Sequence, residues 1–390
     1  TVATYIQNGS GVLNGSATLT ATGGATLNGG TVSGSLLGNV TSTGDVLVSG
    51  SISGGNLILT GGTLTLSGTS THSLVDISAP ATLLVTNGGL DSAAAITNAG
   101  TFTIDSDQTV ATYLQNGSGV LNGSATLTAT GGATLNGGTV SGSLLGDTTS
   151  TGDVLVSGSI GMGSLSITGG QMNLTGVSNH LSLSIASGAS LLDSAGGLNS
   201  VAAISNSGTM TVNEDDAVST YQQNAGGLLA GSADLTVHGG ALLHGGTVSG
   251  SLKGNILADG DVLISGKISG GSLSVLTGNL EFSGISESLS VAVSSGASVQ
   301  DTQGGLHKLS SLNNSGTVTL GTDDYIRIYV SNGGTLAAGS GTLSAANVLL
   351  NDNTVIGGNL IAGKVSTNGS VSNQGTLIAQ SLEIASGTLT

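Results

Sequence analysis

Apolar and polar residues alternate along this chain in runs of three or four, and small turn-forming residues separate the runs. Thr18-Leu-Thr-Ala, Asp45-Val-Leu-Val, Leu57-Ile-Leu-Thr, Thr63-Leu-Thr-Leu and Thr101-Phe-Thr-Ile are typical. A period of two puts apolar side chains on one face of an extended strand and hydroxyls on the other. Gly-Gly, Asn-Gly, Ser-Gly and Thr-Gly pairs bound almost every run, and these residues favour tight turns. No window carries the i, i+3, i+4, i+7 apolar spacing of an amphipathic helix. The pattern predicts an all-β chain with no helix.

Two longer periods organise the runs. The stretch Val2–Gly38 returns at Val110–Gly146 with one change, Ile6 to Leu114, and again, more altered, at Val218–Gly254. Tyr5, Tyr113, Tyr221 and Tyr329 mark the same point in successive copies, 108 residues apart. The copies divide as 1–108, 109–216, 217–324 and a shortened 325–390, with no linker between them; the last slips in register near Thr354. Each full copy divides again into six segments averaging 18 residues.

A period this short fits neither a propeller blade of about 40–45 residues nor a sandwich. It fits a parallel β-helix in which each segment is one coil. The expected fold is one continuous right-handed β-solenoid over residues 1–390, with coils of about 18 residues; the handedness follows that of parallel crossovers. At about 4.8 Å per coil the array would be a rod of about 100 Å. Leu57, Leu59, Leu64 and Leu66 should point inward, and Thr63 and Thr65 outward.

Composition narrows the partners. Glycine supplies 69 of 390 residues, proline one, and cysteine and tryptophan none. Disorder is opposed by the positive mean hydropathy and by the regular alternation. The net charge is −16, yet only 7% of residues are charged, and no Lys or Arg precedes Lys253. Such a chain has no basic patch for a phosphate backbone or an anionic lipid surface, so neither nucleic acid nor membrane insertion is expected. No apolar run reaches the ~20 residues of a membrane-spanning helix. Thr1 and Thr390 fall inside repeats, and both ends are expected to continue in something longer.

Candidate chemistry is sparse. Asp45, Asp153 and Asp261 recur in the phrase GDVL, about six coils apart, near 29 Å, too far to act as a catalytic pair. They read as turn residues bonding their own backbone. The copy junctions carry Asp105 and Asp107, then Glu214, Asp215 and Asp216, then Asp323 and Asp324. These could approach Ca²⁺, but the repeated calcium-roll pattern is missing, and they read as solvated turn carboxylates. Of the five histidines only His72 and His180 share a repeat position, where the third copy has Ser288. Sequons at Asn8, Asn14, Asn39 and Asn173 arise readily in a chain of this composition. The Thr-x-Thr pairs (Thr18/Thr20/Thr22, Thr63/Thr65, Thr101/Thr103) raise an ice-binding array, which would need them in nearly every coil and has them in about half. No catalytic, cofactor-binding or metal-binding residue is singled out.

The Gly/Ser/Thr/Asn-rich coils, the LNGG, NSGT/NAGT and SGxL turns, and the scarcity of charge resemble filamentous haemagglutinin-type bacterial exoproteins and β-helical autotransporter passengers. That resemblance implies an exported, extracellular fibre at a bacterial cell surface, acting in adhesion, aggregation, biofilm or scaffolding. It also implies self-association, end to end or lateral, and possible contact with host or surface carbohydrate. A polysaccharide-active enzyme is the competing class; it would announce itself by a cleft lined with mixed charges.

Overall fold

The computed structural model describes residues 1–198, 200–351 and 353–390. It is all β, without a helix among the described residues, and its parallel strands stack as a solenoid of about 21 coils roughly 18 residues apart. The chain forms two compact units. One comprises Thr1–Leu183 with Gly188–Ser200, the other Ser184–Ser187 with Val201–Thr390.

In the first unit a coil is three short strands. Asn56–Leu59, Thr63–Leu66 and Thr69–Thr71 make one coil, and Leu74–Ile77, Thr82–Val85 and Gly89–Leu90 the next. Each pairs in parallel with its equivalent, Leu57 opposite Val75, Leu64 opposite Leu83 and Ser70 opposite Leu90. The period-2 pattern decides which side faces in. Leu57, Leu59, Leu64 and Leu66 are fully buried, while Thr63 and Thr65 lie on the outward face. Stacking turns these positions into columns, such as Val46, Leu64, Leu83, Phe102 and Leu121. Each buried leucine contributes about 1.5–3 kcal/mol, and every coil satisfies its backbone groups through its neighbours.

Large and small side chains alternate where a column would otherwise overfill. Tyr5 faces Ala25, Tyr113 faces Ala133 and Tyr221 faces Ala241. Gly30 closes the turn beside the first of these at φ +92, where an added Cβ would lie 2.1 Å from the Gly11 carbonyl oxygen. Only glycine fits there.

The second unit departs from the short strands expected. The third-face strand of one coil runs without a break into the first-face strand of the next, giving Asp234–Leu243, Ser251–Ala258, Lys267–Val275, Thr342–Asn351 and Asn359–Asn368. At two corners that keep glycine the pairing slips, between Val237 and Ala241 and between Lys253 and Ile256, while Gly270-Gly271 meets the following coil in register. Where Ala345-Ala346 and Ala362-Gly363 stand instead of a glycine pair, the register carries through.

One feature of each copy interrupts the third face. In the first unit, strands Thr18–Thr20 to Gly89–Leu90 form one five-stranded sheet and Gln108–Val110 to Val177–Asn179 another. The segment TNGGLDSAA at 86–94 lies at the change of sheet. Its counterpart in the second unit, TQGGLHKLSS at 302–311, has only a short bridge from Leu309 to Ile326.

Candidate functional site

Three groups of polar residues depart from the plain apolar ladder. The first is buried and returns with the repeat. Asn98 donates from Nδ2 to the Tyr113 hydroxyl (3.0 Å) and to the Val120 carbonyl (3.0 Å). Tyr113 donates to Gln115 Oε1 (2.7 Å), and Gln115 Nε2 donates to the Gly137 carbonyl (2.9 Å). One hydrogen-bonded chain thus links three successive coils. Asn206, Tyr221, Gln223 and Gly245 repeat it. Burial pushes the Tyr113 and Tyr221 phenols well above their usual range, against the opposing pull of Asn98 and Asn206, so they stay neutral donors. The tyrosines were visible in the sequence as markers, but their hydrogen-bonded partners were not.

The second group holds the carboxylates and histidines, and here two readings are corrected. Asp45 Oδ1 accepts the Thr63 N–H, Asp153 the Gln171 N–H and Asp261 the Asn279 N–H, each at 2.9 Å. The carboxylate therefore clasps the backbone one coil on rather than its own turn, because stacking brings that N–H within hydrogen-bonding distance. Asp107, Asp215 and Asp323 do the same to Thr126, Asp234 and Thr342. Asp216 and Asp324, expected in solvent, are buried. Each alternates with an inward residue two positions on, Val218 and Ile326, and the pleat turns it into the core.

Asp301 is buried beside Asp324 and accepts the Gly304 (3.0 Å) and Gly305 (2.6 Å) N–H groups. Burial pushes Asp324 up to about 8, and the hydrogen bond to Asp301 and the charges of Asp301 and Asp323 add to it. Asp324 accordingly keeps a proton at neutral pH. His72 and His180 are core residues, each 3.0 Å through Nδ1 from a serine hydroxyl, Ser70 and Ser178. Burial holds His180 down to about 4, against the Gly146 carbonyl and Asp147; it lowers His72 as well. The side chain of Ser288, their counterpart, lies outside the described residues. No cluster of three or more His, Cys, Asp or Glu that could hold a metal occurs among the described residues.

The third group is on the surface of the second unit. A cleft of about 370 Å³ opens around the 302–311 segment, between Ile285-Ser286-Glu287 of the preceding coil and Thr322-Asp323 of the following one. His307 and Lys308 line it from the segment itself. The segment is pinned on both sides. Ser286 N–H donates to the Gly305 carbonyl (3.1 Å), and Lys308 N–H to the Tyr325 carbonyl (2.9 Å). Lys308 has a φ of 70, in the left-handed region that a residue with a Cβ seldom occupies. The sequence reading did not find this cleft. The signal was present in the third copy, where Glu287, Gln303, His307 and Lys308 replace Thr71, Asn87, Asp91 and Ser92 of the first.

The fold defines the class, a tandem-repeat β-solenoid. Comparison with protein-family models, with curated proteins and with solved structures found no match for the chain, so the resemblance to haemagglutinin-type exoproteins gains no support from that side.

Proposed function

We propose that this chain is a structural, non-enzymatic segment of an exported bacterial surface fibre, extracellular in location, acting in adhesion, aggregation or scaffolding. The observation that carries the reading is the coil-to-coil bonding itself. Backbone ladders, buried Asn–Tyr–Gln rungs and Asp clasps all tie one coil to the next, which is how length is built from repeated sequence. Self-association is part of the reading. Tyr325, Ile361 and Ile378 share one outward column of the second unit through Ser344, each more than two-fifths exposed, and such an apolar stripe suits lateral contact with another copy.

The test has two arms. An antibody raised against the purified chain should label intact source cells, and sedimentation of the purified chain should show concentration-dependent association that Ile361→Ser with Ile378→Ser weakens. Labelling that requires cell lysis would overturn the location, and a chain that stays monomeric at every concentration would overturn the association. Against an ice-binding role stands the outward column Thr31, Leu47, Thr65, Leu84, Thr103, in which leucine interrupts threonine at alternate coils. A carbohydrate-directed role is favoured by one observation, the mixed-charge cleft of the second unit.

A further inference from the structure

Three near-duplicate copies permit an internal comparison of the same segment. In the first copy it presents Asp91 and Ser92, with Thr71 on the coil before; in the third it presents His307 and Lys308, with Glu287 on the coil before. The third copy alone therefore brings an ammonium, an imidazole and an added carboxylate to this place. Drift of a structural turn has no reason to concentrate charge of both signs at one cleft.

The groups differ in how far they are already committed. Glu287 pairs with Lys267 at 2.9 Å. Asp323 spends Oδ1 on the Thr342 N–H at 2.8 Å. Lys308 has no carboxylate within ion-pair distance among the described residues, although the chain carries 21 acidic residues and only five basic ones. Its backbone is held at positive φ by the Tyr325 carbonyl, a conformation that the surroundings must impose. An ammonium unpaired among the described residues, carried on a backbone held at the edge of a cleft, calls for an anionic group. Carboxylate oxygens at Glu287 and Asp323, with the Gln303 amide, call for several hydroxyls around it, while the Thr322 hydroxyl donates to Asp301 Oδ2 (3.3 Å). The volume of about 370 Å³ lies in the range of small-ligand sites.

We propose that this cleft is a binding site for an acidic sugar, a small polyhydroxylated ligand whose single carboxylate pairs with Lys308 while its hydroxyls bond Glu287, Asp323 and Gln303. The site belongs to the second unit alone and does not depend on the fibre reading; it stands equally in a secreted monomer.

The probe is D-glucuronate, titrated into the ¹⁵N-labelled full chain and followed by amide shifts, with glucose and glucosamine as the uncharged and cationic counterparts. Glucuronate should shift amides of 285–287, 302–311 and 322–325 with millimolar affinity, and glucose should bind at least tenfold more weakly. Lys308→Asn keeps a residue that tolerates the left-handed turn while deleting the charge, and should cost tenfold or more. Ser92→Asn, at the equivalent place in the first copy, should change nothing. Unchanged amide positions elsewhere in the Lys308→Asn spectrum establish that the fold survives. The proposal is overturned by no saturable shift with glucuronate, by equal binding of glucose, by preference for glucosamine, or by full affinity in a folded Lys308→Asn chain.

Discussion

At the scale of single residues, the buried polar groups are where the stability of the solenoid depends most on chemistry rather than on bulk. Tyr221 receives the Asn206 Nδ2–H at 3.1 Å and donates to Gln223 Oε1 at 2.9 Å. Tyr221→Phe keeps the ring in its column, removes one of the two bonds of Asn206 Nδ2 and leaves Gln223 Oε1 without its donor in the core, which costs about 1–3 kcal/mol in urea unfolding. The fourth copy shows how the rung is rebuilt. Ser331 stands in place of the glutamine, Thr354 in place of Gly246, the residue after the rung's glycine, and their hydroxyls bond at 3.0 Å. The turn Asn332-Gly333-Gly334 is one residue shorter than Asn224-Ala225-Gly226-Gly227, and the offset of 108 is regained by Leu343, the counterpart of Leu235.

Titration reads the same core from another side. His180 has its folded pKa held at about 4, below the ordinary 6.5, so its contribution is fully present above about 6.5 and is lost as pH falls toward about 4. Asp324 runs the other way. Its folded pKa near 8 exceeds the ordinary 3.8, so its contribution is present below about 3.8 and is lost as pH rises through about 8. Thermal unfolding across pH should show both flanks. Asp324→Asn should flatten the alkaline one and leave the acid flank in place; an unchanged alkaline flank would mean that Asp324 is ionised at neutral pH.

At the scale of the strand and coil, the inside–outside assignment can be tested by paired truncations. Leu64→Ala removes fully buried atoms between Val46 and Leu83 and should cost about 2–5 kcal/mol. Thr65→Ala, on the outward face, should stay within about 0.5 kcal/mol. Because a coil touches its neighbours, hydrogen exchange should quicken first in strands Val46–Val48 and Thr82–Val85. Equal damage from the two variants would reverse the register.

This is also the scale at which the sequence was most legible. The periods of 108 and 18, the parallel stacking and the inward leucines follow from alternation and repetition alone. The continuous strands of the second unit did not, since a glycine pair reads as a turn until the pairing across coils is seen. The buried Asp216 and Asp324 were missed for a different reason. Polarity was taken to decide exposure, whereas the alternation with Val218 and Ile326 already placed both inward. The cleft escaped because its three groups of residues, at 285–287, 303–308 and 322–323, are separated by 14 or more positions and meet only when three coils stack.

At the scale of the whole molecule, the uneven placement of basic residues makes a cutting pattern that separates sequence from structure. Trypsin finds no Lys or Arg before Lys253, so the denatured chain must release one piece from Thr1 to Lys253. The native chain should behave differently. Lys253, Lys267, Arg327 and Lys364 each lie in a strand hydrogen-bonded on both sides, within Ser251–Ala258, Lys267–Val275, Asp324–Ser331 and Asn359–Asn368. A protease needs an extended, locally released segment of several residues, and paired strands open least readily. Lys308 alone among the five lies outside a strand, exposed, on the irregular 302–311 segment. Brief native digestion should therefore cut first after Lys308, giving fragments 1–308 and 309–390, identified by intact mass. Saturating D-glucuronate should slow that cut and no other, since the ligand would cover Lys308 and tie the segment to Glu287 and Asp323. First cleavage after Lys253 or Lys267 would mean that the long strands of the second unit open more easily than the loop between them, and the pairing described for that unit would be wrong.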